Sequence, residues 1–150
     1  MLFTYSGLVT VDSEPMGMTL KALAAGKDLP TALKSGGPPN LKKRGTARAI
    51  FDGRYKFTRY FGPEDRNRPG TIDELYRDND VELFDLQTDP GEMTNLAAKK
   101  GEHRDLVLAM SAKLEALIKQ EMRVDDGREM PPFKGVVWTL DTKDNETILD

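Results

Sequence analysis

Two strand-like runs, TARAIF over residues 46–51 and RYKFTRYF over 54–61, are separated by Asp52-Gly53. A two-residue Asp-Gly link between β-branched and aromatic runs is a strong short-range signal for a β-hairpin. A lone hairpin is marginal in water, so the rest of the chain must cover one of its faces. VELFDL, residues 81–86, reads as a third strand antiparallel to the hairpin, with Val81 and Leu83 facing one way and Phe84 and Leu86 the other. Asp89-Pro90-Gly91-Glu92 follows it. Proline presets φ at the second turn position and glycine tolerates positive φ at the third, so a type II turn with Gly91 at φ > 0 is expected. Thr94 or Asn95 can cap a short helix, which Gly101 ends. A longer helix is expected over 102–122, with Leu106, Met110, Leu114, Leu117 and Ile118 as one apolar stripe. The expected class is α+β: a small antiparallel sheet of about three to four strands packed against a long C-terminal helix.

The flanks are weaker. Residues 2–11 read as a strand. Residues 16–25 read as a helix with Met16, Leu20, Leu23 and Ala24 on one face and Gly26 as its stop. The Pro- and Gly-rich stretch 27–45 reads as a loop with one short turn at 31–34. Residues 62–80 are a polar excursion with a helical turn at 72–76. The tail 123–150 contains Pro131-Pro132 and FKGVVWTL over 133–140, a last strand or an extended arm. No internal repeat is visible. The start, with Leu2, Phe3, Tyr5, Leu8, Val9 and Val11, has no polar lead-in and reads as a buried strand cut open.

The chain has 150 residues, enough for one core, and a net charge of −3. An acidic balance argues against a general nucleic-acid binder. With no cysteine, disulfides, zinc-thiolate sites and cysteine nucleophiles are excluded. No apolar run is long enough to span a membrane, and the first residues lack the pattern of a signal peptide. The compartment does not follow from this. The single histidine, His103, falls at the polar start of a helix, and no spacing ties it to Ser6, Ser13, Ser35 or Ser111. Carboxylates cluster at Asp78, Asp80 and Glu82, at Asp125-Asp126, and at Asp141, Asp144 and Glu146; they read as solvated loops. A calcium loop counted from Asp78 would need glycine sixth and glutamate twelfth, where Leu83 and Asp89 stand. Lys42-Lys43-Arg44 is too short for a nucleic-acid or membrane patch. The alternation Arg54, Tyr55, Lys56, Phe57, Arg59, Tyr60 could stack on single strands. Its simpler reading is a hairpin with one aromatic face in the core and its basic residues outside. No phosphate-binding glycine loop is present, and Asn145-Glu146-Thr147 fits a glycosylation sequon.

E-L-F-D-L-x-x-D-P-x-E-x-x-N-L, residues 82–96, resembles the C-terminal signature of the sulfatase family, and R-x-x-F-D-G-R-Y-K-F, residues 48–57, resembles the hairpin that precedes it there. Gly127-Arg128-Glu129-Met130-Pro131 and Trp138 are similar to the tail of bacterial arylsulfatases. The resemblance is strong over 44–122 and weaker on the flanks. It implies the small sheet-and-helix portion that follows a large alkaline-phosphatase-like α/β domain. The divisions expected from it are 1–45, the end of the catalytic domain and a linker; 46–122, the sheet-plus-helix subdomain; and 123–150, an extended tail. The family acts on sulfate esters through a formylglycine made in C/S-x-P-x-R, with a calcium ion. Neither the motif nor the metal ligands have a counterpart here. Ser13-Glu14-Pro15-Met16-Gly17 has Gly17 where the motif needs arginine. No catalytic, cofactor-binding or metal-binding residue is therefore carried over. The resemblance implies an inactive C-terminal piece whose partner is the missing catalytic domain, with self-association in its absence. The alternative reading is a free-standing binding or structural module that uses the hairpin at 54–61.

Overall fold

In the computed structural model, residues 1–7, 12–37, 40–63 and 65–125 are described. The expected tail strand, the tail motif with Trp138, the last acidic cluster and the sequon lie outside them. The architecture is α+β: one four-stranded antiparallel sheet in the order β1-β2-β3-β4, with helices. β1 is Leu2–Ser6, β2 Thr46–Phe51, β3 Tyr55–Phe61 and β4 Asp80–Asp85. α1 (Ser13–Ala24) and α2 (Leu29–Gly36) lie between β1 and β2, α3 (Ile72–Asp78) precedes β4, and α4 (Arg104–Glu121) crosses one face of the sheet.

The hairpin forms where Asp52-Gly53 requires it. Gly53 takes φ 108°, open to glycine and strained for any other residue. Asp52 accepts from the N–H groups of Arg54 and Tyr55 and closes the turn. The register then sorts the side chains with period two. On the face toward α4, Leu2, Ile50, Phe57 and Leu83 form one row across all four strands. Thr4, Arg48, Arg59 and Val81 form the next row, and Ser6, Thr46 and Phe61 the third. α4 covers these rows with Val107, Met110, Leu114 and Ile118. Ile72 and Leu75 of α3 complete the core. α3 starts with a reciprocal capping box, Thr71 and Glu74 each binding the other's backbone N–H.

Several expectations require correction. β1 pairs with β2 through five residues, but it is an edge strand with Phe3 and Tyr5 exposed rather than the expected buried strand. Residues 8–11 of the expected first strand are outside the described residues. The sheet thus draws its edge from upstream of residue 46. The 27–45 stretch is not a plain loop: α2 starts on Asp28, whose carboxylate accepts from Thr31 N–H, with Pro30 in the first turn. α1 starts earlier than expected, on the Asp12 cap, and its apolar stripe faces outward. Thr19 and Ala22 are its buried residues, while Met16, Leu20 and Leu23 are exposed. The reason is the partner. α2 offers Ala32 and Gly36 to α1, a seam of small residues that admits close approach of the two helices and no large side chain.

The 89–92 turn also differs. Glu92 N–H donates to the Asp89 carbonyl, closing the turn, but the positive φ falls on Glu92, at 55°, and not on Gly91. The third turn position is therefore not in the conformation a type II turn demands. Finally, Arg59 of the hairpin is buried and not outside, because the period of β3 puts it between Phe57 and Phe61.

Candidate functional site

The two stretches that carry the family resemblance meet in space. Arg54, just after the hairpin turn, binds both Asp85 carboxylate oxygens, at 2.6 Å through Nη2 and 3.0 Å through Nε. That contact holds the Asp85 pKa down to about 2, the Arg54 hydrogen bond outweighing the penalty of burial. Lys56 forms an ion pair with Glu92, which fixes the residue that turns the chain through positive φ. Asp89 accepts from Thr94 N–H at 2.7 Å. Asn95 does most of the joining. Its Oδ1 accepts from Leu83 N–H and Ala97 N–H, both at 3.0 Å, and its Nδ2 donates to the Val81 carbonyl at 3.0 Å. One amide therefore continues the β4 ladder and caps the 3-10 turn at Leu96–Ala98. Strand, turn and cap lie close together because a single polar side chain serves both ends of the return. Of the two candidate caps, Asn95 is the one used.

Behind this strap, the second and third rows of the inner face form a charged centre. Arg48 donates to both oxygens of Asp125, at 2.9 and 2.7 Å, and Arg66 pairs with the same carboxylate. Arg59 Nη2 lies 2.6 Å from Glu115, off the line of a good hydrogen bond. The three guanidinium groups lie 5.7 to 5.9 Å from the centre of the Phe61 ring. Burial drives the Arg59 pKa down, against the pull of Glu115. Burial alone would raise Asp125; hydrogen bonding and charge from Arg48, with Arg66 and Arg59, bring it below its ordinary value. The expectation that Asp125 belongs to a solvated loop is thus overturned: it is 6% exposed. Its neighbour Asp126 lies outside the described residues. Nothing in a dipeptide of aspartates reveals this. The signal available was the unusual placing of Arg48 and Arg59 on the alternation that Ile50, Phe57 and Phe61 assign to the core.

Among the described residues, no helix covers the opposite face of the sheet. Phe3, Ala49, Thr58 and Glu82 form one of its rows, and Tyr5, Ala47, Tyr60 and Asp80 the next. Phe51, Lys56 and Phe84 form a third. Phe3 is 54% exposed and Tyr5 48%, and they border an apolar groove of about 380 Å³ floored by Ala47 and Ala49. Tyr60 donates to Glu82 at 2.8 Å; burial and that carboxylate push its pKa up to about 12.

The other sequence candidates are dispersed. Asp78 pairs with Arg77, Asp80 with Arg44, and Glu82 with Tyr60, so the first acidic cluster does not converge. Among the described residues no group of three or more metal-ligating side chains forms. His103 precedes α4, with its Nε2 3.6 Å from Glu102. Ser13 opens α1, Ser35 donates to the Thr31 carbonyl, and Ser111 is buried in α4. Ser13-Glu14-Pro15-Met16-Gly17 is the first turns of α1. Of the basic triplet, Lys43 binds Asp12 at 2.6 Å and Arg44 pairs with Asp80. No helix of the described residues is long and apolar enough to cross a membrane. No protein-family model matches this sequence. No curated protein matches it significantly.

Proposed function

We propose that this chain is the C-terminal sheet-and-helix portion of an enzyme that hydrolyses sulfate esters, and that it completes that enzyme's fold. It would do so by laying the sheet face opposite α4 against a larger catalytic domain. The observation that carries this reading is the asymmetry of the sheet. α4 covers one face, while the other presents Phe3, Tyr5 and Phe51 beside an apolar groove. Contiguous apolar surface of this kind marks an interaction site. The exposed Leu20, Leu29 and Leu33 on the α1–α2 hairpin extend the apolar surface available to a partner. The residues shared with the sulfatase signature support the same reading, since Arg54, Asp85, Lys56, Glu92 and Asn95 act on one another as structural staples. In this account the nucleophile and the calcium ligands belong to the partner domain.

The alternative, a free module that binds through the hairpin at 54–61, needs the hairpin's cations available. Arg54, Lys56 and Arg59 are each engaged by a carboxylate of this chain. That weighs toward the docking role.

The test is sedimentation of the purified chain with and without the double substitution Phe3→Glu and Tyr5→Lys. The reading expects concentration-dependent association of the native chain, abolished by the substitutions with the melting temperature preserved. It also expects no turnover of a chromogenic aryl sulfate by either form. A native chain that stays monomeric and binds no dye for exposed apolar surface would overturn it, as would turnover above the blank.

A further inference from the structure

The two edges of the sheet are finished differently. β4 forms one of them, and the groups it turns outward are satisfied within the chain. The Val81 carbonyl and Leu83 N–H bind the Asn95 amide, and the Asp85 carbonyl accepts from Thr88 and Asp89 N–H. β1 forms the other edge. Met1 exchanges bonds with Phe51, and Gly7 N–H donates to the Gly45 carbonyl. Antiparallel pairing alternates, so Phe3 and Tyr5 also turn their backbone groups to β2, while Leu2 and Thr4 turn theirs away from the sheet. Among the described residues, nothing binds the outward backbone groups of Leu2 or Thr4.

An open edge is a template for another strand, and proteins blunt such edges with lysine, proline, a bulge or a cover. β1 has no charged residue, no proline and no glycine, and it pairs in register without a bulge. Each of the other strands carries charge: Arg48 in β2, Lys56 and Arg59 in β3, and Asp80, Glu82 and Asp85 in β4. The surfaces beside the open edge are apolar on both sides. Toward α4, a groove of about 560 Å³ runs between β1 and the end of the helix, lined by Met1, Leu2, Thr4, Leu117 and Met122 with Glu121. On the other side stand Phe3 and Tyr5, both exposed. A strand added here needs uncharged residues pointing both ways.

β1 is itself such a strand. We propose that a second copy of this chain supplies the missing neighbour, its β1 pairing antiparallel with this one about a twofold axis at Thr4. The contact is the same patch on both copies, and it joins two four-stranded sheets into one. Thr4 of each copy exchanges N–H and C=O with Thr4 of the other. Phe3 of each stands opposite Tyr5 of the other, an aromatic cross-strand pair on either side of the axis. The axis is perpendicular to the sheet, so both α4 helices lie on one side and the grooves beside Leu117 and Met122 close on each other. Self-pairing of an uncharged strand brings no like charges into the ladder. The inference concerns the edge of the sheet and does not rest on the docking role of its face.

The test is sedimentation of the full chain over a range of concentrations, with disulfide cross-linking. Substitutions at Phe3 and Tyr5 disturb edge and face together, whereas the Thr4 side chain lies on the α4 side. Thr4→Lys puts a charge into the closing groove and should at least halve the limiting mass, with the melting temperature unchanged. The chain has no cysteine, so a single one reports alone. Opposed residues in a hydrogen-bonded antiparallel pair have Cα atoms about 5.5 Å apart, within disulfide reach. Thr4→Cys should therefore become a covalent dimer on mild oxidation. Leu2→Cys, about 14 Å from its counterpart, should not. The cross-linking decides alone if the lysine variant does not fold. Association of Thr4→Lys equal to that of the native chain would assign the contact to the sheet face, overturning this proposal and leaving the docking role. Failure of Thr4→Cys to cross-link, or equal cross-linking by Leu2→Cys, would also overturn it. So would a native chain that stays monomeric; Thr4 N–H protected from hydrogen exchange in that monomer would identify another segment of this chain as the occupant.

Discussion

The inner face of the sheet is built in two halves from the same strands. Toward the Asp52-Gly53 turn, Leu2, Ile50, Phe57 and Leu83 meet Val107, Met110 and Leu114, and the half is apolar. Toward the other end, Arg48, Arg59 and Phe61 meet Arg66, Glu115 and Asp125, and the half is charged. Burial is similar in both: Phe57 and Leu83 are at 0%, and so is Arg48. The energetics are not. Apolar side chains gain from leaving water wherever they are put. Buried ions lose hydration, and they recover it only where a partner of opposite charge stands in the right place. The apolar half therefore drives collapse, while the charged half accepts one arrangement. It also ties Asp125, beyond the end of α4, to the middle of the sheet.

The largest effect expected from this contrast is at Asp125. Asp125→Ala would leave the guanidinium groups of Arg48 and Arg66 buried without their shared counter-charge, for a loss of about 3–5 kcal/mol. Leu83→Ala, in the apolar half, should cost about 3 kcal/mol through lost transfer energy and the cavity left behind. Urea unfolding of the two variants ranks the halves directly. A smaller loss at Asp125 than at Leu83 would break the comparison. Asn95 spans both halves, binding Val81 of the charged row and Leu83 of the apolar row. Asn95→Ala strands buried backbone groups on β4 and should cost about 2 kcal/mol.

Acid titration sharpens the contrast further. Asp85 has a folded pKa of about 2 against a reference of 3.8, and Asp125 is also lowered. Both carboxyls are harder to protonate in the folded chain than in the unfolded chain. Their contributions are therefore complete above about pH 4 and are lost as pH falls through the folded values. Melting temperature should decline as pH drops from about 4 toward 2, and less steeply in Asp85→Asn than in the native chain. The smallest effect is expected at Gly91, outside both halves. Since its φ is not positive, Gly91→Val should change stability by about 0.5 kcal/mol or less.

Much of the apolar half was legible in the sequence. Asp52-Gly53 marked the hairpin, alternation over 81–86 set Leu83 on the face opposite Phe84 without saying which face is inner, and the stripe of α4 included Met110, Leu114 and Ile118. The charged half was not, because its partners are far apart in the chain. Arg48 and Asp125 are 77 residues apart. No local period links them: alternation with Ile50, Phe57 and Phe61 puts Arg48 and Arg59 on core positions, but nothing local names their distant partners. α1 misled for a related reason: its apolar residues Met16, Leu20 and Leu23 are exposed, while a seam of Thr19, Ala22, Ala32 and Gly36 holds the helical hairpin. The type II turn failed because proline at 90 suits more than one turn type, and the strained φ moved one residue on to Glu92, which Lys56 secures.

Most depends on the proposal that the sheet face opposite α4 packs against a larger catalytic domain. The direct measurement is the mass and peptide map of the native protein captured from its source with an antibody raised against α4. The account predicts a polypeptide well above the 16.8 kDa of this chain, containing C/S-x-P-x-R with its first residue converted to formylglycine. A native protein of 16.8 kDa with no such peptide would contradict it.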